Sequence, residues 1–345
     1  AYQGLNILEA REKIVNDLKN QNLLEKEEEY IHQVPKCYRC NTTIELIPSL
    51  QWFLKMKELA KLAKNPVKSG KIKFHPKSFE KPYLDWLENV KDWCISRQIW
   101  WGHKIPIDGE ESVLDTWFSA ALWPFATLGW PDKKAKDLKT FYPTAVLSTA
   151  RDIINLWVSR MIFSGLEFTK KVPFKDVYIH ATVLTRDGQR MSKSLGTGID
   201  PLKLIDEFGA DATRFGIAYQ IMGNQDMKFV TDNILMGKKF CNKIWNASRF
   251  VMNQIGNEKI ENKKPGGKLT LADKKILKSL EKTTKSINKD LETFKFGKAC
   301  HTLYNFFWHD FCDEYIEESK KQNGQKTKNI LLYVLSNSLI LLHPF

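Results

Sequence analysis

Nine residues from Gly188 to Gly196 (GQRMSKSLG) place two fixed cations and two hydroxyls between bracketing glycines. In such a loop Arg190 and Lys193 would meet the charge of a polyphosphate, and Gly188 and Gly196 would let the backbone move over it. Cations positioned in a site that shuts out water stabilise charge developing on a phosphoryl group in transfer. Loops that close only over substrate are one way to build such a site. In so basic a chain, Ser192-Lys193-Ser194 alone reads first as a solvated loop, and its flanks change that reading.

Upstream, Val177, Ile179, Ala181 and Val183 alternate through Asp176–Thr185, which predicts a strand running into an Asp187-Gly188 turn. Downstream, Asp200-Pro201 sets an N-cap and a first-turn proline, and Gly209 marks a stop before a second helix, Asp211 to Ile221. A second strand-to-helix junction lies at Ala145–Ser148, Thr149-Ala150-Arg151 and the helix Ile153 to Phe168. Connections of this kind sit at the carboxyl edge of a parallel sheet, where α/β folds bind ligands. Asp152 there is a helix N-cap, a ligand for hydroxyl or amino groups, or both.

Of six cysteines only Cys37 and Cys40 have a metal-ligand spacing, and no disulfide framework is expected. A structural zinc site needs four ligands, so either the others lie outside this chain or the two thiols are free. Cys300 and Cys312 read as core. At least one of the adjacent Trp100 and Trp101 is expected to pack inside. No His-x-Gly-His occurs in the sequence.

These residues need a scaffold. With 345 residues, 43% of them apolar, the chain can bury a sizeable core in two or three domains. A formal net charge of +13 favours a polyanion such as RNA. Only nine of the 53 basic residues are arginine, and a lysine surplus of that kind also arises from base-composition drift. Ile330–Phe345 is too short and polar to span a bilayer, and with no signal peptide a cytoplasmic address is expected. The chain begins without Met and stops after an apolar helix, so both ends are expected to be cut. A first helix is predicted over Leu5–Leu24. After Phe229 come amphipathic helices at Thr231–Ile255, Leu271–Phe294, Gly297–Lys321 and Lys328–Leu342, with a boundary at the polar linker Asn257–Lys268. Lys238, Lys239, Lys243 and Arg249 on the first of these are candidate RNA-backbone contacts.

The run Met191–Gly196, then Ile199-Asp200-Pro201 and Gly209-Ala210-Asp211-Ala212-x-Arg214-Phe215, resembles the second signature of class I aminoacyl-tRNA synthetases, with Arg190 at a usual lysine and Thr197 at a usual asparagine. Asp115-Thr116-Trp117-Phe118-Ser119, Leu122-Trp123-Pro124 and Asp152-Ile153-Ile154-x-x-Trp157-Val158-x-Arg160-Met161 narrow the resemblance to the valyl-tRNA synthetases. The resemblance implies an α/β fold: the second half of a class I Rossmann-type nucleotide-binding domain, followed by an α-helical anticodon-binding bundle. It implies an exit of the editing insertion with half a zinc knuckle at 1–49, the catalytic part at 50–230 and a truncated bundle at 231–345. ATP with Mg2+ would meet His180, Arg190, Met191, Ser192, Lys193 and Ser194, with Arg190 and Lys193 catalytic and Ala181 at a usual glycine. Trp117, Asp152, Ile153 and Trp157 would form the valine pocket. Valine and tRNA(Val) would be the other partners of an expected monomer that binds no membrane. Cys37 and Cys40 would join a zinc site in the complete protein. The first class signature and a longer metal-bearing loop after Pro106 are missing. Two readings follow: part of an ATP-dependent valine–tRNA ligase, or a non-catalytic, synthetase-derived tRNA-binding protein. The phosphate loop favours the first.

Overall fold

Short runs rich in β-branched and aromatic residues alternate with capped helices along the chain, and the computed structural model describes residues 2–191, 196–223, 226–322 and 324–345. They fall into two units, Ala1–Leu50 and Gln51–Phe345. In the first, Asn6 and Glu9 form a reciprocal capping box that opens the helix Ile7–Asn20, shorter than the Leu5–Leu24 expected. That helix buries no residue. Lys36 and Thr43 then bridge across a turn that carries Cys37 and Cys40.

The second unit begins with β1 (Phe53–Leu54), β2 (Lys73–His75), β3 (Trp93–Cys94), β4 (Ser96–Arg97) and β5 (Val113–Leu114), followed by β6 (Thr144–Thr149), β7 (Phe174–Ile179), β8 (Val183–Leu184) and β9 (Met227–Lys228). A parallel sheet runs in the order β2-β7-β6, with Phe74 opposite Val177 and Thr149 opposite Ile179. Helices Met56–Lys68 and Ser159–Thr169 cover it through Met56, Ala63, Met161 and Ile162, each at most 1% exposed. The strand expected over Asp176–Thr185 divides in two. His180 N still donates to Thr149 O, after which the chain leaves the sheet, and β8 pairs in parallel with β9 instead.

Local signals set the helix ends. Asp200 accepts from Leu202 N at 2.9 Å, Pro201 takes the first turn, and Gly209 (φ +94°) ends Pro201–Phe208. Thr270 and Asp273 form a second capping box at Leu271–Glu292. Asp273 also accepts from the Tyr315 hydroxyl at 2.9 Å, and burial pushes that phenol's pKa up. The bundle core gathers Phe240, Val251, Phe307, Phe311 and Val334 with Cys300 and Cys312, whose thiols burial pushes up to about 12. Two expected helices are not uniform. A wider π turn occupies Ile154–Val158, and another runs through Phe306–Ile316. Nor does either adjacent tryptophan pack inside, since Trp100 is 92% and Trp101 65% exposed. An unbroken apolar pair has no period, so it carries no information about which side faces inward.

Helix Phe296–Asn305 approaches the end of Ala210–Gln220 so closely that a Cβ on Gly297 would sit 2.0 Å from the Ile221 carbonyl oxygen. Backbone cannot yield as a side-chain tip can, so Gly297→Ala is expected to cost roughly 3 kcal/mol, the upper range of overpacking. Thermal unfolding beside Gly266→Ala, where a Cβ meets nothing within 4 Å, checks it. Equal midpoints for the two variants would contradict the close approach.

Candidate active site at the carboxyl edge of the sheet

The chain leaves β6 through Ala150 into a single turn, Arg151–Ile153, and both charged residues of that turn reach across to other segments. Asp152 Oδ2 accepts from Arg190 at 2.7 Å, and Arg151 donates to Asp226 Oδ2 at 2.6 Å. The second pair holds the Asp226 carboxyl below its ordinary value. Asp226 precedes β9 and Arg190 bridges to Leu184 of β8, so one turn braces both strands of the small β8–β9 sheet. Asp152 therefore does not cap its helix. It lies inside the turn, Ala150 takes the cap position, and its carboxylate is spent on Arg190.

Arg190 reaches that place through a hairpin. Thr185 N donates to Gln189 O at 2.8 Å, Gln189 N donates to the Thr185 hydroxyl at 3.0 Å, and Gly188 (φ +84°) turns the corner. Only glycine adopts that conformation without strain. Met191 packs beside Ala181 against the cluster of Leu204, Met227, Phe229 and Ile234. Ser192, Lys193 and Ser194 lie outside the described residues. His180 is exposed at the end of β7, with Nδ1 3.0 Å from the Ala181 carbonyl. The Arg190–Asp152 pair is open to water, with side chains 71% and 47% exposed. Such pairs contribute about 0–1 kcal/mol, so Arg190 can exchange its carboxylate for a phosphate at little cost.

Trp117 and Trp157 belong to one apolar cluster, and Ile153 is half-buried beside Ile154 of the same cluster. Trp157 Nε1 donates to Ala120 O at 2.9 Å, which ties the π turn to the helix Thr116–Ala120. That helix is capped by Asp115, whose Oδ1 accepts from Trp117 N. Its Oδ2 accepts from Trp93 Nε1 at 2.9 Å and from Arg97 at 2.7 Å, with the carboxylate only 7% exposed. The Arg160 guanidinium stacks 3.7 Å from the Trp93 ring, and burial pulls its pKa down to about 10 against the pull of Asp115. Asp115 opens the Asp115–Ser119 motif in the sequence, but its part as the acceptor for Trp93 and Arg97 has no mark there.

Cys37 and Cys40 share a tight turn in which Asn41 N donates to Cys37 O and Cys37 N donates to Thr42 O, both at 2.8 Å. Hydrogen bonding with the Thr42 side chain and backbone, and with Cys37, holds the Cys40 thiol down to about 7. No group of three or more His, Cys, Asp or Glu placed to hold a metal occurs among the described residues. Two ligands of a four-ligand site bind zinc weakly. Metal analysis of the chain purified without chelator is expected to find well below one zinc per chain, and stoichiometric, tightly held zinc would reject the half-site.

Of the four cations expected to meet RNA, two are already engaged. Lys238 donates to Glu207 O, and Lys243 pairs with Asp313 at 2.8 Å. Lys239 and Arg249 are exposed. Among the described residues no helix is long and apolar enough to cross a membrane.

The family described as tRNA synthetases class I (I, L, M and V) matches residues 9–111 and 107–230, and the anticodon-binding domain of tRNA ligase matches 273–345. The valine--tRNA ligase of Geobacillus stearothermophilus is 47% identical over 100% of this chain and 42% of its own length. That of Clostridium tetani is 47% identical over 99% of this chain and 43% of its own. The chain thus spans less than half the length of these relatives. Among solved structures, Mycobacterium tuberculosis methionyl-tRNA synthetase bound by methionyl-adenylate superposes with a TM-score of 0.72 at 17% identity, over 93% of this chain and 65% of that one. At that identity the likeness speaks for the fold alone.

Proposed function

Since this chain belongs to the class I aminoacyl-tRNA synthetases, in their valine–tRNA ligase branch, we propose that the protein carrying it activates valine with ATP and transfers it to tRNA(Val). The valine carboxylate attacks the α-phosphate, pyrophosphate leaves, and the valyl group of the adenylate passes to a terminal ribose hydroxyl of the tRNA with release of AMP. The observation that carries this reading is the 47% identity to valine--tRNA ligases along the whole chain.

In this proposal Arg190 and Lys193 neutralise charge building on the pyrophosphate side. His180, Met191, Ser192 and Ser194 border the nucleotide. Trp117, Ile153 and Trp157 wall the amino-acid side chain, and rigid indoles suit a slot that a larger side chain would overpack. Asp152 stands where the valine ammonium group and Arg190 compete for one carboxylate. Magnesium fits as an ion carried by the triphosphate, because Asp152 and Asp226 already hold arginines and no acidic cage surrounds the loop among the described residues. It would supply further neutralisation of phosphate charge. Zinc fits Cys37 and Cys40 as two of its ligands. The match to the anticodon-binding domain of tRNA ligase and the surplus of lysine support tRNA as the polyanionic partner.

Amino-acid-dependent ATP–pyrophosphate exchange, measured on the protein carrying this chain, tests the reading. Exchange with valine and charging of tRNA(Val) are expected. Binding of tRNA without exchange for any amino acid would leave only the non-catalytic alternative.

A further inference from the structure

A cavity of about 520 Å³ opens at the carboxyl ends of β2 and β7, where the sheet meets the helical part, on residues other than those of the Arg190 site. His75 and Tyr178 come from the two strands, and Phe294 comes from the turn after helix Leu271–Glu292. Phe294 lies between the other two rings, 4.4 Å from the His75 centroid and stacked at 5.6 Å on Tyr178. All three rings are half-buried, so part of this aromatic surface stays accessible. The Phe294 backbone is left-handed (φ +57°). That conformation is strained for a bulky residue and persists only where its surroundings hold it.

Lysines supply most of the charge of the lining, beside Thr293 and His75, whose Nε2 lies 2.7 Å from Asp176 Oδ1. Lys77, Lys295 and Lys298 line the cavity, and no carboxylate appears among its described lining residues. Lys298 is 3.2 Å from Asp290, a residue 2% exposed whose second oxygen has no hydrogen-bond partner. Lys77 and Lys295 are exposed with their charge unspent on any ion pair found among the described residues. A wall of accessible rings beside unpaired ammonium groups combines the two things nucleic-acid grooves use: phosphate contacts along the backbone and flat surfaces for a base. A joint serving only to hold sheet and bundle together needs the rings, but it has no use for the two uncommitted cations Lys77 and Lys295 at one opening.

We propose that this cavity is an RNA contact, seating backbone phosphates of the bound tRNA on Lys77 and Lys295 with a base against the ring wall. The inference rests on tRNA being the partner and adds where, between sheet and bundle, it is held. Ile179 lines the cavity and His180 follows it directly, so RNA seated here would press on the strand that ends in the candidate nucleotide site.

The test is binding of a tRNA(Val) transcript to the full chain between about 50 and 200 mM salt. The double variant Lys77→Glu, Lys295→Glu is compared with Lys133→Glu, Lys134→Glu, an equal change of charge on an exposed segment away from the cavity. Lys298 is left intact because Asp290 depends on it. The cavity double is expected to bind at least about tenfold more weakly than the control double. Its salt slope should be shallower by roughly 1.5, since each lost phosphate contact removes about 0.7–0.9. Equal weakening in both doubles, with matched thermal midpoints, would overturn this site while leaving the partner in place. A wild-type chain that does not bind the transcript would overturn the partner and the site with it.

Discussion

Asp115→Ala is expected to lower stability by about 3 kcal/mol and to weaken valine binding in the same variant. The carboxylate is nearly buried and serves three donors at once: Trp93 Nε1, Arg97 and the backbone N–H of Trp117. Removing one partner of a buried charge pair costs about 3–5 kcal/mol. Arg97 keeps 40% of its side chain in water and can resolvate, which places this site at the lower end. Loss of the cap adds about 1 kcal/mol within that total. Arg160 also loses a negative charge that offsets its burial over Trp93. Asp115→Asn keeps one acceptor oxygen, enough for either the cap or the Trp93 and Arg97 donors, while its NH2 faces the other. It should therefore lose less than alanine but not recover the parental stability. Thermal unfolding of both variants checks the order, and calorimetry with valine checks the coupling to Trp117. If alanine and asparagine proved equally mild, the carboxylate would not be the hub that its bonds describe.

What the sequence revealed of the fold depended on how local each signal was. The Asp200-Pro201 cap, the stop at Gly209 and the helix Thr231–Ile255 were legible because a cap or an apolar period is complete within a few residues. Cys300 and Cys312 were readable as core for the same reason. Features that depend on distant partners were not legible. Alternation through Val177, Ile179, Ala181 and Val183 continues across the point where β7 ends, because both small sheets ask for the same pattern. The π turn before Ser159 has no sequence mark, and helical spacing describes its residues almost as well. Within the candidate site, Asp152 and Arg190 are 38 residues apart and Arg151 and Asp226 are 75 apart. An aspartate opening a helical run looks like a cap until its real partner folds against it. Asp115 shows the reverse: it is a cap, and also the acceptor for a tryptophan and an arginine that nothing nearby in the sequence announces.

In the protein carrying this chain, Lys193→Ala is expected to slow valine activation by about a hundredfold or more, the scale of a lost transition-state donor. The argument starts from Arg190, three residues earlier, which stands at the carboxyl edge of the sheet on an exposed and weak ion pair with Asp152. A cation held that loosely is placed to turn toward incoming phosphate. Lys193 follows in the same sequence run, outside the described residues, so its role rests on the spacing of the loop. Its charge should matter most when pyrophosphate departs and least when valine binds. Lys193→Ala should therefore lower the activation rate and leave valine affinity unchanged, because Trp117, Ile153 and Trp157 are untouched. An interaction made only in the transition state lowers kcat and kcat/KM together. Arg190→Ala should also slow activation, but with valine bound more tightly because Asp152 is released to its ammonium group. Stability should change by no more than about 1 kcal/mol, since the partner of Arg190 is solvated. Single-turnover measurement of adenylate formation separates this step from tRNA charging. A Lys193→Ala protein that activated valine at the parental rate, or lost valine affinity instead, would remove the loop from the phosphate site.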